Sequence, residues 1–190
     1  SVQRRPDLRK DSDSNLDFSQ FFELSEIPQP RAAFCTLGTT IKKAGSREAF
    51  RSVDLDLVLS FARKCRELGF QRMGVVSAIG ADKKSLLFYI RIKGEMEEAL
   101  KSMGFAHLVF VRPSLLLGPR AEFRLGEYLG EKFARIFSFA FLGPGLEWKP
   151  VAAKNVAQVL VKETLSTREK LRIISNRDLL RSGASSQVKP

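Results

Sequence analysis

Four short apolar runs, most of them leading into a stretch of helical periodicity, leave this chain few folds to choose from. Residues 31–37 (RAAFCTL) close on Gly38, residues 72–77 read RMGVVS, residues 107–111 (HLVFV) end before Pro113, and residues 171–174 form the last run. Helices are predicted at 50–68, with Val53, Leu57, Phe61, Cys65 and Leu68 on one stripe, and at 85–103, stopped by Gly104. Further helices are expected at 126–137, at 151–165 with Ala152, Val156 and Val159 or Leu160 inward, and at 177–180. The strand runs are continuously apolar, as strands covered on both faces should be. Strand, helix, strand in succession with short loops implies right-handed crossovers and an α/β fold, a doubly wound parallel sheet.

The length of 190 residues suits one domain with a sizeable core. Residues 182–190 read as a polar tail and residues 10–15 (KDSDSN) as a mobile loop. No run approaches the roughly 18 uninterrupted apolar residues of a membrane span, and residues 1–14 are polar, unlike a secretory signal. Cys35 and Cys65 make neither a metal spacing nor a disulfide framework. They read as buried free thiols, so a reducing, cytoplasmic setting is expected. The net charge of +11 comes from scattered basic residues, denser at Arg4, Arg5, Arg9, Lys10 and at Arg168, Lys170, Arg172. No nucleic-acid motif accompanies them and no aromatics interleave. Nucleic acid is therefore disfavoured, and a small polyanion such as a phosphorylated cofactor fits better.

Ligands of a parallel α/β sheet sit at the carboxyl ends of its strands. Three features converge there. Ser77 ends one strand, Tyr89 and Lys93 lie one turn apart on the next helix, and Arg112, Pro113 and Ser114 end the strand after it. A phenol with a pKa near ~10 exchanges protons poorly at neutral pH. A neighbouring ammonium lowers that value, and such a tyrosine can pass a proton to or from a substrate oxygen. Ser77 would hold that oxygen by a hydrogen bond. Leu86, Leu87, Ile90, Met96 and Leu100 are expected to form the buried stripe of this helix, with Glu95, Glu97 and Glu98 on its solvated face.

The stretches VVSAIGADKKSLLFYIRIKGEMEEAL and FVRPSLLLGPR resemble the short-chain dehydrogenase/reductase superfamily in its extended or atypical branch, more narrowly the Tat-interacting-protein-type oxidoreductases and their bacterial relatives. FCTLGTTIKKAGSREAFRSVDLDLVLSFARKC, LGPRAEFRLGEYLGEKFARIF and LRIISNRDLL are similar to further segments of that family, from about residue 16 onward. The resemblance implies a Rossmann-like NAD(P)-binding domain over 1–181, with a segment at about 115–150 that covers the substrate. It implies a catalytic triad of Ser77, Tyr89 and Lys93, with Lys93 also holding the nicotinamide ribose. Leu37, Gly38 and Thr39 match the turn beside the cofactor, and Pro113 and Ser114 the segment on the nicotinamide side. Arg4 and Arg5 match positions that hold a 2′-phosphate, which favours NADP over NAD, and Asp17 and Phe18 match the pair flanking the adenine.

Two departures stand out. The glycine-rich pyrophosphate turn is absent, so the family's first strand, turn and helix would lie before Ser1; the 190 residues alone are expected to bind dinucleotide poorly or not to fold. The helix at 50–68 also lacks the asparagine many members place there, with Asp54 and Asp56 the nearby polar residues. His107, the only histidine, reads as structural. Phe133, Phe137, Phe139 and Phe141 read as cover over a substrate pocket, with an exposed apolar patch as the rival reading. The expected function is hydride transfer to or from a carbonyl or alcohol substrate. The rivals are a dinucleotide-sensing regulatory protein and a nucleotide-sugar epimerase or dehydratase. A homo-oligomer is left open.

Overall fold

The structure, a computed structural model, describes residues 32–117 and 149–185. The element order is β1 (Ala33–Cys35), α1 (Ile41–Ala44), α2 (Arg47–Arg51), a π-helical turn (Ser52–Asp56), α3 (Leu57–Glu67), β2 (Arg72–Val76), α4 (Phe88–Lys101), β3 (His107–Arg112), β4 (Leu116–Leu117), β5 (Val151–Ala152), α5 (Ala153–Ser166), β6 (Leu171–Ser175) and α6 (Asn176–Ser185). Four strands form one sheet in the order β1-β2-β3-β6, parallel throughout. The pair β4–β5 makes a second, two-stranded parallel sheet, which the sequence did not announce.

The alternation of side chains along each strand splits the core in two. Ala33, Cys35, Met73, Val75, Leu108 and Phe110 point to one face, where α2, the π turn, α3 and α4 pack. Val109, Val111 and Ile174 point to the other, against Val156, Val159 and Leu160 of α5 and Leu179 of α6. Burying one such side chain contributes about 1.5–3 kcal/mol, so both faces are strongly specified. Gly74 lets α5 lie directly on β2: a Cβ there would meet Thr164 Oγ1 at 2.2 Å. Arg72 donates to the carbonyls of Thr164 and Thr167 at 3.2 and 2.8 Å, satisfying groups that the end of α5 leaves open.

Several expectations shift. The helix at 50–68 begins earlier, where the Ser46 side chain accepts from Ala49 N. Its inward stripe is Phe50, Asp54, Leu55, Val58, Ala62 and Cys65, displaced from the expected one because the π turn inserts an extra residue. Helix α4 starts at Phe88, so Leu86 and Leu87 precede it and are exposed; Ile92, Met96 and Leu100 form the stripe instead. Glu97 is buried rather than solvated. Residues 151–165 open with a short strand, and Ala152 is exposed. The last helix runs on to Ser185, through the start of the expected tail. The thiols are free and buried as expected, and His107 Nδ1 lies 2.9 Å from the Glu169 carbonyl. The predicted helix at 126–137, the phenylalanine stretch, the 10–15 loop, Arg4, Arg5, Asp17 and Phe18 lie outside the described residues, as does most of the 115–150 segment. Among the described residues no helix is long and apolar enough to cross a membrane.

Candidate active site

Three strand ends and one helix build a cleft of about 250 Å³ lined by Leu37, Gly38 and Thr39 after β1, Asp54 in the π turn, Ser77 after β2, Tyr89 and Lys93 on α4, and Pro113 and Ser114 after β3. Every proposed site residue within the described part of the chain therefore faces one space. The cleft also takes in Thr36, Thr40, Lys43, Val76 and Leu116.

Local structure explains each placement. Ser77 is held by its backbone N–H, which donates to the Val111 carbonyl at 2.8 Å, and Ile79 N–H donates to the Pro113 carbonyl at 2.9 Å. The two strand ends are thereby laced together. The Ser77 side chain is buried, and its Oγ has no hydrogen-bond partner. A buried hydroxyl left unpaired is costly unless something completes it. The loop from Ser77 to α4 turns at Gly80, whose φ of 72° favours glycine. It returns to α4 at Gly94, where a Cβ would lie 2.2 Å from backbone atoms of Asp82 and Lys83. That close contact fixes the loop against the helix that carries Tyr89. The Tyr89 ring packs on Phe50, with centroids 5.6 Å apart.

Lys93 does not act on Tyr89 in the manner expected. Its Nζ lies 2.6 Å from Asp54 Oδ1, with both side chains almost wholly buried. The other oxygen of Asp54 accepts from Thr39 N–H at 2.8 Å. Burial, and then the Asp54 carboxylate, push the Tyr89 hydroxyl up to about 12. The sequence expectation of a lowered value thus fails, first because the hydroxyl is buried and then because the Asp54 anion stands beside it. The same surroundings raise the Cys35 thiol, chiefly through burial.

Of the two acids noted on this helix, Asp54 and Asp56, it is Asp54 that lines the cleft. The signal for it was an acid within VDLDLV, an otherwise apolar helical run. Asn176 was also missed. Its buried side chain accepts from Ser114 N–H at 2.9 Å and donates to the Lys149 carbonyl at 2.8 Å. Ser114 Oγ donates to that same carbonyl at 2.7 Å. The N–H groups of Thr39 and Ser114 are therefore engaged within the protein, and the two turns offer a cofactor shape rather than these donors.

The residues fit a nicotinamide group in two respects. Ser77, whose buried hydroxyl is unpaired, lines the cleft, and Gly38 leaves space beside the Asp54–Lys93 pair, since a Cβ there would sit 3.3 Å from Asp54 Oδ1 and 3.6 Å from Lys93 Nζ.

A parallel sheet covered on both faces, with polar side chains gathered at its strand ends, defines a Rossmann-like α/β protein. No family model matches the chain. It is 42% identical over 113 residues to "Protein fmp52, mitochondrial" of Emericella nidulans, 59% of this chain and 48% of that one. It is 39% identical over 119 residues to "Protein HTATIP2" of Rattus norvegicus, 62% of this chain and 49% of that one. A longer match, 32% over 178 residues, joins it to the fmp52 protein of Aspergillus niger, with 90% of this chain and 75% of the relative covered. The chain spans about half the length of the first two of these relatives. The solved structure "MoeE5 in complex with UDP-glucose and NAD" shares the fold, with a TM-score of 0.50 and 15% identity over 82% of this chain and 62% of that chain. The chain belongs to the family of the FMP52 proteins and HTATIP2, among the atypical short-chain dehydrogenases/reductases.

The cytoplasmic expectation is corrected by these names, since the FMP52 relatives are called mitochondrial. Unpaired cysteines argue against an oxidising compartment but do not distinguish one reducing compartment from another.

Proposed function

We propose that this protein is an NADP-dependent oxidoreductase acting on a carbonyl or alcohol substrate. The observation that carries the reading is the unpaired, buried hydroxyl of Ser77 in the same cleft as Tyr89 and Lys93. The dinucleotide, when bound, supplies the hydride that makes the new C–H bond at the carbonyl carbon. Ser77 Oγ–H donates to the substrate oxygen and orients it. Tyr89 Oη gives its proton to that oxygen as negative charge builds there. Lys93 would hold the ribose next to the nicotinamide, while Leu37, Gly38, Thr39, Pro113 and Ser114 supply the walls. Arg4 and Arg5 would take the 2′-phosphate, and Asp17 and Phe18 would flank the adenine.

Calorimetric titration of the full protein with NADPH and NADH tests the cofactor, with tighter NADPH binding expected. Turnover with a panel of carbonyl substrates tests the chemistry. Tyr89→Phe is expected to lose about 10²–10⁴-fold in kcat, and full activity in that variant removes Tyr89 from the reaction. A second reading, a dinucleotide sensor with little turnover, is favoured by the pairing of Lys93 with Asp54 and the high Tyr89 value. Tight NADPH binding with no turnover on any substrate selects it. Kinship with the FMP52 proteins makes the mitochondrion the compartment to test, by fractionation of the full-length protein.

A further inference from the structure

Lys93 and Asp54 form the one cleft-facing ion pair among the described residues in which both partners are almost wholly buried. Breaking such a pair by removing one member is costly. More is at stake than stability here, because the cation is the one the triad would use. Asp54 reaches two elements at once: α4 through Lys93, and the turn after β1 through Thr39 N–H. It holds both from a π-helical turn, a local irregularity often found at functional sites.

We propose that Asp54 is a positioning residue that also sets the charge of the site: it fastens Lys93 to the cofactor-side turn, cancels its charge, and keeps Tyr89 a neutral phenol that works as a proton donor in carbonyl reduction. This rests on the oxidoreductase reading given above and deepens it.

Among the described residues that line the cleft with Tyr89, the charged side chains are Lys43 from α1, which is exposed, Asp54 from the π turn and Lys93 from α4 itself, with the Cys35 thiol of β1 near the pair. Ser77 after β2 and Pro113 and Ser114 after β3 bring no charge. Lys43 is exposed and screened by solvent, while the buried Asp54 and Lys93 offset each other, so the buried phenol lies beside a neutral pair and its protonated form is favoured. A hydride arrives at the carbonyl carbon with its electron pair, and the C=O π pair moves onto oxygen. The Tyr89 O–H bond breaks to give that oxygen its proton, and water restores the phenol. A neutral reacting end also suits a carbonyl flanked by uncharged groups better than an α-keto acid.

The test uses the full protein with Tyr128→Phe, which leaves Tyr89 as the only tyrosine of these 190 residues, and its resonance is assigned by its loss in Tyr89→Phe. Substituting 3-fluorotyrosine brings the phenol into a workable titration range, and fluorine NMR then reads ionisation directly, without substrate or turnover. Asp54→Asn frees the Lys93 ammonium and removes the anion. It is expected to raise the acid constant of Tyr89 about tenfold or more, one pH unit downward. Lys93→Gln is expected to move it upward, and the double variant to fall near the parent. An unchanged or upward midpoint in Asp54→Asn overturns the proposal. If Asp54→Asn does not fold, the double variant decides: a midpoint within about threefold of the parent supports charge cancellation, and a larger displacement refutes it. Absence of turnover in the parent would instead strike the oxidoreductase reading, and the titration would still report on Asp54.

Discussion

Helix α4 carries two ion pairs on its buried side, one turn apart, and they do different work. Lys93 meets Asp54 at 2.6 Å with both side chains out of water. Glu97 meets Arg112 through two contacts, 3.0 and 2.6 Å, but Arg112 keeps about a quarter of its side chain exposed. The second pair braces α4 to the end of β3, and water still reaches its cation. The first lies inside the candidate site and pairs the cation that the proposed function assigns to the ribose. Burial of both partners, rather than the contact distance, separates a brace from a charge-setting device, because in the dry pair neither charge has an alternative partner in solvent.

The largest expected break in that comparison is Asp54→Ala. It leaves a buried ammonium without a counter-charge and Thr39 N–H without its acceptor. A loss of about 3–5 kcal/mol is expected, read as a fall in the urea midpoint at unchanged m-value. A loss below about 1 kcal/mol would show that Lys93 finds another partner and that the pair is a replaceable contact.

That pair was also the part of the site least legible in the sequence. The alternation of apolar runs and helical periodicity was enough for the sheet, because Met73, Val75, Leu108 and Phe110 obey the strand period and Met96 and Leu100 the helical one. Ser77, Tyr89 and Lys93 were legible from a serine at a strand end, a tyrosine and lysine one turn apart on the next helix, and the family resemblance, and they do share the cleft. Asp54 was visible as a residue but its role was not. A regular helix aims Val53, Leu57 and Phe61 inward, whereas the extra residue of the π turn turns that stripe and brings Asp54 to bear on Lys93. Nor can local pattern show that Glu97 is buried, since its partner is 15 residues away at the end of another element. The Tyr89 expectation failed for the same reason: the neighbour four residues away was visible, and the burial of the hydroxyl and the Asp54 anion beside it were not.

A smaller break comes from Gly94, which lies between the two pairs on the sequence of α4. Gly94→Ala puts a methyl 2.2 Å from backbone that has no flexible side chain to move aside. About 2–3 kcal/mol is expected, by overpacking. Because the loop from Ser77 must then lift from α4, NADPH binding by the full protein should weaken with stability. Weakened stability with unchanged binding would place the displacement away from the cleft.

The smallest effects sharpen the comparison from its wet end. Glu97→Gln keeps one acceptor for Arg112 and leaves that guanidinium access to water, so about 1–2 kcal/mol is expected. Arg51 and Glu95 form a third contact on the same helix at 2.6 Å, with side chains 48% and 31% exposed. Solvent already satisfies both, and ordering two long side chains offsets most of the attraction. Arg51→Ala should therefore cost about 0.5 kcal/mol or less, and less still in high salt. The Asp54–Lys93 and Arg51–Glu95 contacts share one distance and differ widely in exposure. If their substitutions ranked otherwise than by burial, the distinction between the brace and the charge-setting pair would lose its physical basis.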